Sequence, residues 1–407
     1  MGRRLLGYLL IGAAIVLIAA VAYLHTVQSR SALVFSPSQI LAATWIKYKM
    51  AYLETGTGRT VDPARNAITT SEGEGYSMLR AVWLGDKQSF DTSWTWTKNN
   101  LQHKSGDHLF AWMFGKNPNG TYGVMVSDGG DTSAADADTD IALALLFAYG
   151  RWQDHQYIGD ARVIMADIWS KEVVMVGGTP YLVADNKEKG SARGVLINPS
   201  YLNPAAYHIF GQFDNSHPWD ALAASSYVII DKSIASPLNA NASAGLPPDW
   251  VLMNTATGAI AASGDATTTT TNFGFDAMRL PWRMTLASEW FSDPRAKQVL
   301  DQIRFLKSAW QSNGSLASTY AHDGAILDAD QAPAMYGGTI GYFMAEDPQA
   351  AKSIYETKLA SLYDPGTSGW KTQLSYYDDN WAWFGIGLYS GLLPNLTTSL
   401  PSSAFQK

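Results

Sequence analysis

Apolar residues return three or four positions apart along most of this 407-residue chain, with Ala, Leu and Trp on the recurring face. That periodicity predicts helices over residues 37–54, 76–84, 90–101, 138–152, 157–174, 220–234, 276–291, 295–311, 350–362 and 380–392. Gly, Pro, Asn and Asp separate them, as in Gly115-Lys116-Asn117-Pro118-Asn119-Gly120. Strand-like stretches are short, at residues 122–126 and 173–176. No fixed short period recurs, which argues against a regular solenoid. Helical hairpins of irregular length closing into a ring fit better, with inner-helix ends around one shallow cleft. From Ser36 to about Leu392 no linker or composition shift interrupts the chain, so the prediction is one all-α domain.

The N-terminus departs from this pattern. Arg3-Arg4 precede an apolar run from Leu5 to Leu24, and residues 25–30 are mostly polar. About 20 apolar residues can span a bilayer, while Ala20-Val21-Ala22 also fits a signal cleavage site. Residues 1–30 are therefore expected to be a signal peptide or an N-terminal membrane anchor. Either would place residues 31–407 outside the cytoplasm, periplasmic, secreted or anchored facing outward. The membrane is an expected partner only if the segment stays uncleaved.

Charge and composition narrow the chemistry. With 29 Lys and Arg against 36 Asp and Glu and no basic stripe, nucleic acid is excluded as a partner. The absence of Cys removes disulfides, thiolate metal sites and cysteine nucleophiles. No HExxH, GxSxG or phosphate loop ending in Lys-Ser/Thr occurs. No metal or organic cofactor is expected.

Three segments instead place carboxylates beside small and aromatic residues: Ser71-Glu72-Gly73-Glu74-Gly75-Tyr76, Ala134-Ala135-Asp136-Ala137-Asp138 and Phe273-Gly274-Phe275-Asp276-Ala277-Met278-Arg279. Carboxylates gathered by folding point to glycosidic bond cleavage. In the first segment, Ser71 and Glu74 match a capping box, which leaves Glu72 free between glycines that would let a sugar ring approach. A general acid needs an apolar or like-charged setting to hold its proton, and Tyr76 and Met78 could supply apolar walls. Taken alone, Glu72 also fits plain stabilisation of a helix dipole.

The second segment lies among Asp128, Asp131, Asp138 and Asp140. A calcium loop starting at Asp136 fails, because its sixth position is Ile141 and its twelfth Phe147. Asp138 and Asp140 are expected to cap the following helix, and Asp136 to hydrogen-bond a substrate. In the third segment, Asp276 and Arg279 are one turn apart and are expected to pair. A carboxylate so paired stays ionised, as a base toward water requires, although a purely structural salt bridge has the same signature.

These segments resemble glycoside hydrolase family 8. The family signature is matched from Ala134 through Asp136, Asp138, Ile141, Ala142, Ala144 and Ala148 to Trp152. Its acid motif is matched at Ser71–Tyr76 and its base motif at Phe275–Arg279. Ala135 stands where the signature has Ser or Thr, and Phe275 where many relatives have Tyr. Ala111-Trp112, Asn198-Pro199-Ser200-Tyr201-Leu202 and Pro248-Asp249-Trp250-Val251 extend the resemblance over most of the chain. Gly58-Arg59 through Asp62 and Ile68 to Glu72 bring it nearest to bacterial cellulases associated with cellulose-synthesis operons.

The resemblance implies an (α/α)6 barrel with a substrate cleft at the inner-helix ends. It implies an inverting endo-β-1,4-glucanase, with Glu72 protonating the leaving oxygen, Asp276 activating water, and Asp136 binding and distorting the sugar or acting in catalysis. Arg279 would tune Asp276 or contact sugar. Phe275 and Tyr76 would border the site, and Trp112 and Tyr201 would stack on pyranose faces. Trp45, Trp83, Trp152, Trp169 and Trp310, at helical spacing, are expected in the core. The expected substrate is a β-glucan and the expected state a monomer. Chitosan, xylan or mixed-linkage glucan remain alternatives, as does a non-catalytic glucan-binding component of polysaccharide assembly.

Overall fold

The computed structural model describes residues 35–191, 194–264, 268–398 and 400. The expected signal or anchor at residues 1–30 lies outside them. Among the described residues, no helix is long and apolar enough to cross a membrane.

Among the described residues there are thirteen α-helices: α1 (Pro37–Tyr52), α2 (Ser71–Leu84), α3 (Lys87–Asn100), α4 (Ala135–Trp152), α5 (His155–Asp167), α6 (Pro204–Phe213), α7 (Trp219–Ala235), α8 (Leu280–Phe291), α9 (Pro294–Gln302), α10 (Phe305–Asn313), α11 (Pro333–Glu346), α12 (Pro348–Ile354) and α13 (Tyr376–Tyr389). Local chemistry sets many of their ends. Ser36 and Gln39 form a capping box before Pro37, and Asp86 caps α3 through the Ser89 N–H. Gly85 closes α2 at φ 74°, a conformation glycine adopts freely.

Packing sorts twelve of the helices into six pairs, leaving α10 outside. The inner helices α2, α4, α6, α8, α11 and α13 pack on the outer helices α3, α5, α7, α9, α12 and α1 respectively. Successive inner helices also touch one another. This is the (α/α)6 barrel. Inner helices are buried almost all round, as α4 shows from Ala135 to Gly150, whereas outer helices bury one face. The sixth pair joins the last helix to the first. There Trp383 Nε1 donates to Leu41 O at 3.0 Å and Tyr52 Oη to Leu374 O at 2.6 Å.

Of the five tryptophans expected in the core, Trp45 and Trp83 are buried. Trp152, Trp169 and Trp310 are partly buried against it. Strands are minor, forming antiparallel sheets of two or three short strands. The strand expected at 173–176 is present as Val173–Val176, and that at 122–126 as Tyr122–Val124.

Several helix expectations are corrected. The stretch 157–174 ends as α-helix at Asp167 and continues as a π-helical turn, Ile168–Glu172, into the strand. The stretch 295–311 breaks between Gln302 and Phe305. Helices α6 and α11 stand where none was predicted. In α11, Gly337, Gly338 and Gly341 mimic turn residues. A Cβ on them would overlap Trp381 O, Met278 Sδ and Thr285 Oγ1 respectively, so these glycines are close-packing positions between inner helices.

Each outer helix reverses the chain, so the inner helices run in a common direction. The N-terminal ends of α2, α4 and α13, and the turn that enters α8, carry Glu72, Asp136, Tyr376-Tyr377 and Asp276 respectively. The partial positive charge of helix N-termini thus lies around one opening.

Candidate active site

Short antiparallel pairing sets the first carboxylate. Residues Thr69–Thr70 form β1, which pairs with Met113–Lys116 (β2), Thr70 opposite Met113. The Ser71 N–H then donates to Trp112 O at 3.1 Å. Helix α2 starts at that point, capped by Thr70 Oγ1 accepting from the Gly73 N–H. The expected capping box at Ser71 and Glu74 is therefore not the one formed. Glu74 is fully buried and accepts from the Thr60 N–H at 2.6 Å. Burial pushes its carboxyl up to about 8. Glu72 is left free to face the opening, and Gly73 has no side chain to keep Tyr376 Oη away.

Asp136 is the second residue of α4. Its Oδ1 accepts the Ala137 N–H at 2.9 Å. Asp138 and Asp140 do not cap this helix as expected. Asp138 Oδ1 accepts the Phe110 N–H at 2.9 Å, and Asp140 forms a two-pronged pair with Arg283 at 2.8 and 2.9 Å. The third segment forms a 3-10 turn, Ala277–Arg279, leading into α8.

Arg279 gathers the three segments. Its Nη1 donates to Glu72 Oε2 at 2.7 Å and to Asp136 Oδ2 at 2.9 Å, while Nη2 bonds Asp276 Oδ1. The Nε donates to Ser200 Oγ and to Asp276 O, both at 3.2 Å. Its side chain is 1 % exposed and that of Asp136 3 %, whereas Glu72 keeps 24 % and Asp276 33 %. The two carboxylates assigned to acid and base are thus those that reach solvent. They are held by opposite terminal nitrogens of one planar guanidinium, which separates them while fixing both.

One cation among three carboxylates leaves an excess of negative charge. Burial, opposed by Arg279 and reinforced by Asp136 and Asp276, pushes the Glu72 carboxyl up to about 7. Burial likewise raises Asp136, against the pull of Arg279 and Arg283. Trp250 Nε1 donates to the second Asp276 oxygen, Oδ2, at 3.1 Å. Both oxygens of Asp276 therefore accept hydrogen bonds, while Glu72, bonded to Arg279 and Tyr76, keeps a raised affinity for a proton.

The opening is a cleft of about 460 Å³ whose lining includes Thr60, Asp62, Arg65, Ile68, Phe275 and Tyr377 together with Glu72 and Asp276. Phe275 is an exposed aromatic, set edge-on to Tyr377. Tyr201 is half-buried, with Arg279 over its ring at 5.2 Å and Trp250 against its edge. Tyr76 is buried beneath the cluster, its Oη 3.5 Å from Arg279 Nη1 and its ring edge-on to Trp381 and Phe384. Trp112 is half-buried beside the start of α2, its Nε1 donating to Gly129 O at 2.9 Å, and neither it nor Tyr201 is among the residues that line this cleft.

Three residues at the site had no role in the sequence reading: Trp250, Tyr376 and Tyr377. Tyr377 Oη donates to Phe275 O at 2.5 Å, tying the last inner helix to the residue before Asp276. The signal for them was the Tyr376-Tyr377-Asp378-Asp379 cluster and the matched stretch containing Trp250. Among the described residues, no group of His, Asp and Glu is arranged to hold a metal ion. The chemistry on offer is general acid and base catalysis by a carboxyl that holds its proton and a second carboxylate, both reaching the opening.

Known proteins share this sequence and frame. The chain is 28% identical over 377 residues to Endoglucanase 2 of Ruminiclostridium josui, covering 90% of this chain and 73% of the relative. It is 26% identical over 347 residues to an endoglucanase of Escherichia coli, covering 83% and 86%. The crystal structure of an endo-1,4-D-glucanase from Vibrio fischeri superposes with a TM-score of 0.68 at 24% identity, over 85% of this chain and 94% of that one. The model of the Glycosyl hydrolases family 8 matches residues 20–381 and so takes in all three carboxylate segments. With those segments meeting at one guanidinium inside an (α/α)6 barrel, the chain belongs to glycosyl hydrolase family 8.

Proposed function

We propose that this glycoside hydrolase is an endo-β-1,4-glucanase that cleaves internal bonds in a single displacement with inversion. The carrying observation is the division of labour imposed by Arg279: Glu72 with its carboxyl pushed up to about 7, and Asp276 with both oxygens held by Arg279 and Trp250. The endoglucanase relatives support β-glucan as substrate.

Glu72 donates its proton to the departing glycosidic oxygen while Asp276 takes one from the attacking water, and the water's oxygen bonds to the anomeric carbon from the opposite face. An inverting pair leaves roughly 6.5–9.5 Å between carboxyls for that water, and a guanidinium between Glu72 and Asp276 is a suitable spacer. Buried Asp136 contacts the sugar at the cleavage point, and its bond to Arg279 fixes its direction. Phe275, exposed at the cleft, offers aromatic surface to C–H faces of the polymer. The apolar run Leu5–Leu24 after Arg3-Arg4 supports export, where the enzyme would trim an emerging glucan.

Proton NMR of the protein acting on cellohexaose, read in the first minutes, tests this. Internal cleavage with α-anomer released first is expected. β-Anomer first would overturn the acid/base pairing, and cleavage of xylo- or chitosan oligomers alone would move the substrate to another β-glycan.

A further inference from the structure

Asp249 and Trp250 are consecutive, and both act on Asp276. Their backbone N–H groups donate to Asn272 O at 2.7 Å and Thr270 O at 2.9 Å, which lays this dipeptide beside the chain leading to the third carboxylate segment. Trp250 reaches the Asp276 carboxylate itself. Asp249 is buried and does something different: its Oδ1 accepts the N–H of Gly274 at 3.2 Å and of Ala277 at 2.8 Å. Those two N–H groups flank Asp276 in sequence. One carboxylate oxygen therefore closes the turn on which Asp276 is mounted.

Gly274 is part of the same device. A Cβ there would stand 2.9 Å from Asp249 Oδ2, so a larger residue would have to displace that carboxylate. Burial, then the charge of Asp276, pushes the Asp249 carboxyl up to about 7. Its two backbone bonds need only a carbonyl-type oxygen, so they persist whether the group is charged or neutral.

We propose that Asp249 is the positioning residue of the Asp276 base, locking the Gly274–Ala277 turn so that the Asp276 carboxylate points at the attacking water. This rests on Asp276 being the base. Misplacement of a reacting group by about 1 Å costs on the order of 100-fold in rate, whereas binding of a polymer spread along the cleft is little affected.

The test is steady-state kinetics on cellohexaose with Asp249→Ala and Asp249→Asn, with melting temperatures measured on the same samples. Asp249→Ala is expected to lower kcat about 100-fold with KM within about threefold. Asp249→Asn, whose amide oxygen accepts the same two N–H groups, is expected to recover kcat to within about fivefold. Wild-type kcat in Asp249→Ala, equal loss in both variants, or a change confined to KM would overturn the proposal. Should Asp249→Ala fail to fold, Gly274→Ala crowds the same contact from the other side and is expected to show the same loss in kcat; unchanged kcat there would overturn the proposal. Asp276→Asn, run alongside, separates the two claims. Activity in Asp276→Asn removes the base itself, while an inactive Asp276→Asn beside a fully active Asp249→Ala removes only the positioning role.

Discussion

Arg279 and Arg283 lie one helical turn apart at the start of α8, both buried, and they are used in opposite ways. Arg283 meets one carboxylate, Asp140, in a closed pair at 2.8 and 2.9 Å. Arg279 is divided among Glu72, Asp136 and Asp276, and two of those carboxylates keep solvent access. A closed pair satisfies its charges and fixes helix against helix. A shared cation leaves charge uncompensated, which adds to burial in holding a proton on Glu72. Similar side chains in similar burial thus give anchorage in one place and reactivity in the other, and the stoichiometry of the contact decides which.

The sharpest break in the comparison comes from the shared cluster. Glu72→Gln and Asp276→Asn are each expected to lower kcat on cellohexaose by about 1,000-fold or more while leaving the circular dichroism spectrum and oligosaccharide binding intact. Near-normal turnover in either would end the assignment. Asp140→Ala should do the reverse, leaving Arg283 buried without its partner at a cost of about 3–5 kcal/mol, read as a lower denaturation midpoint. Its turnover per folded molecule should remain close to wild type.

Protonation offers a gentler probe. Because Glu72 must be protonated to act and its carboxyl is pushed up to about 7, kcat/KM should be sustained below that pH and fall tenfold per pH unit well above it. A profile flat to about pH 9 would contradict the role of burial there.

The smallest effect is expected in a second carboxylate pair, beneath Asp136. Asp138 and Glu172 are fully buried and hydrogen-bond each other, and burial raises both carboxyls. A raised carboxyl binds its proton more tightly in the folded state, so its stabilising contribution is present at low pH and lost as pH rises through the raised value. Glu172→Gln keeps a donor at every pH. Its melting temperature should therefore decline less than wild type as pH rises, by the equivalent of about 1–2 kcal/mol.

The sequence made the helical class and the three carboxylate segments legible because both are local signals: apolar spacing of about 3.6 residues in one case, and a carboxylate among small residues in the other. The readings that failed depended on partners far along the chain. Asp138 and Asp140 looked like caps because the Phe110 N–H and Arg283, which claim them, are distant in sequence. Helix α11 was hidden because Gly337, Gly338 and Gly341 read as breakers until the inner helices packed on them are known. The Asp276–Arg279 pair was visible at a separation of three residues. That the same guanidinium also reaches Glu72, 207 positions away, was not.

The seam between α1 and α13 has a consequence in time. Bonds such as Trp383 to Leu41 join residues 342 positions apart, so the ring cannot shut while the chain is still emerging from a ribosome. At typical elongation rates of about 5–20 residues per second, the first helix waits on the order of tens of seconds for the last. Throughout that interval, indole and phenyl groups destined for the interior lack their final cover. The yield of such a chain should therefore depend on how well those groups are kept from aggregating in that interval, and not on the finished barrel's stability alone.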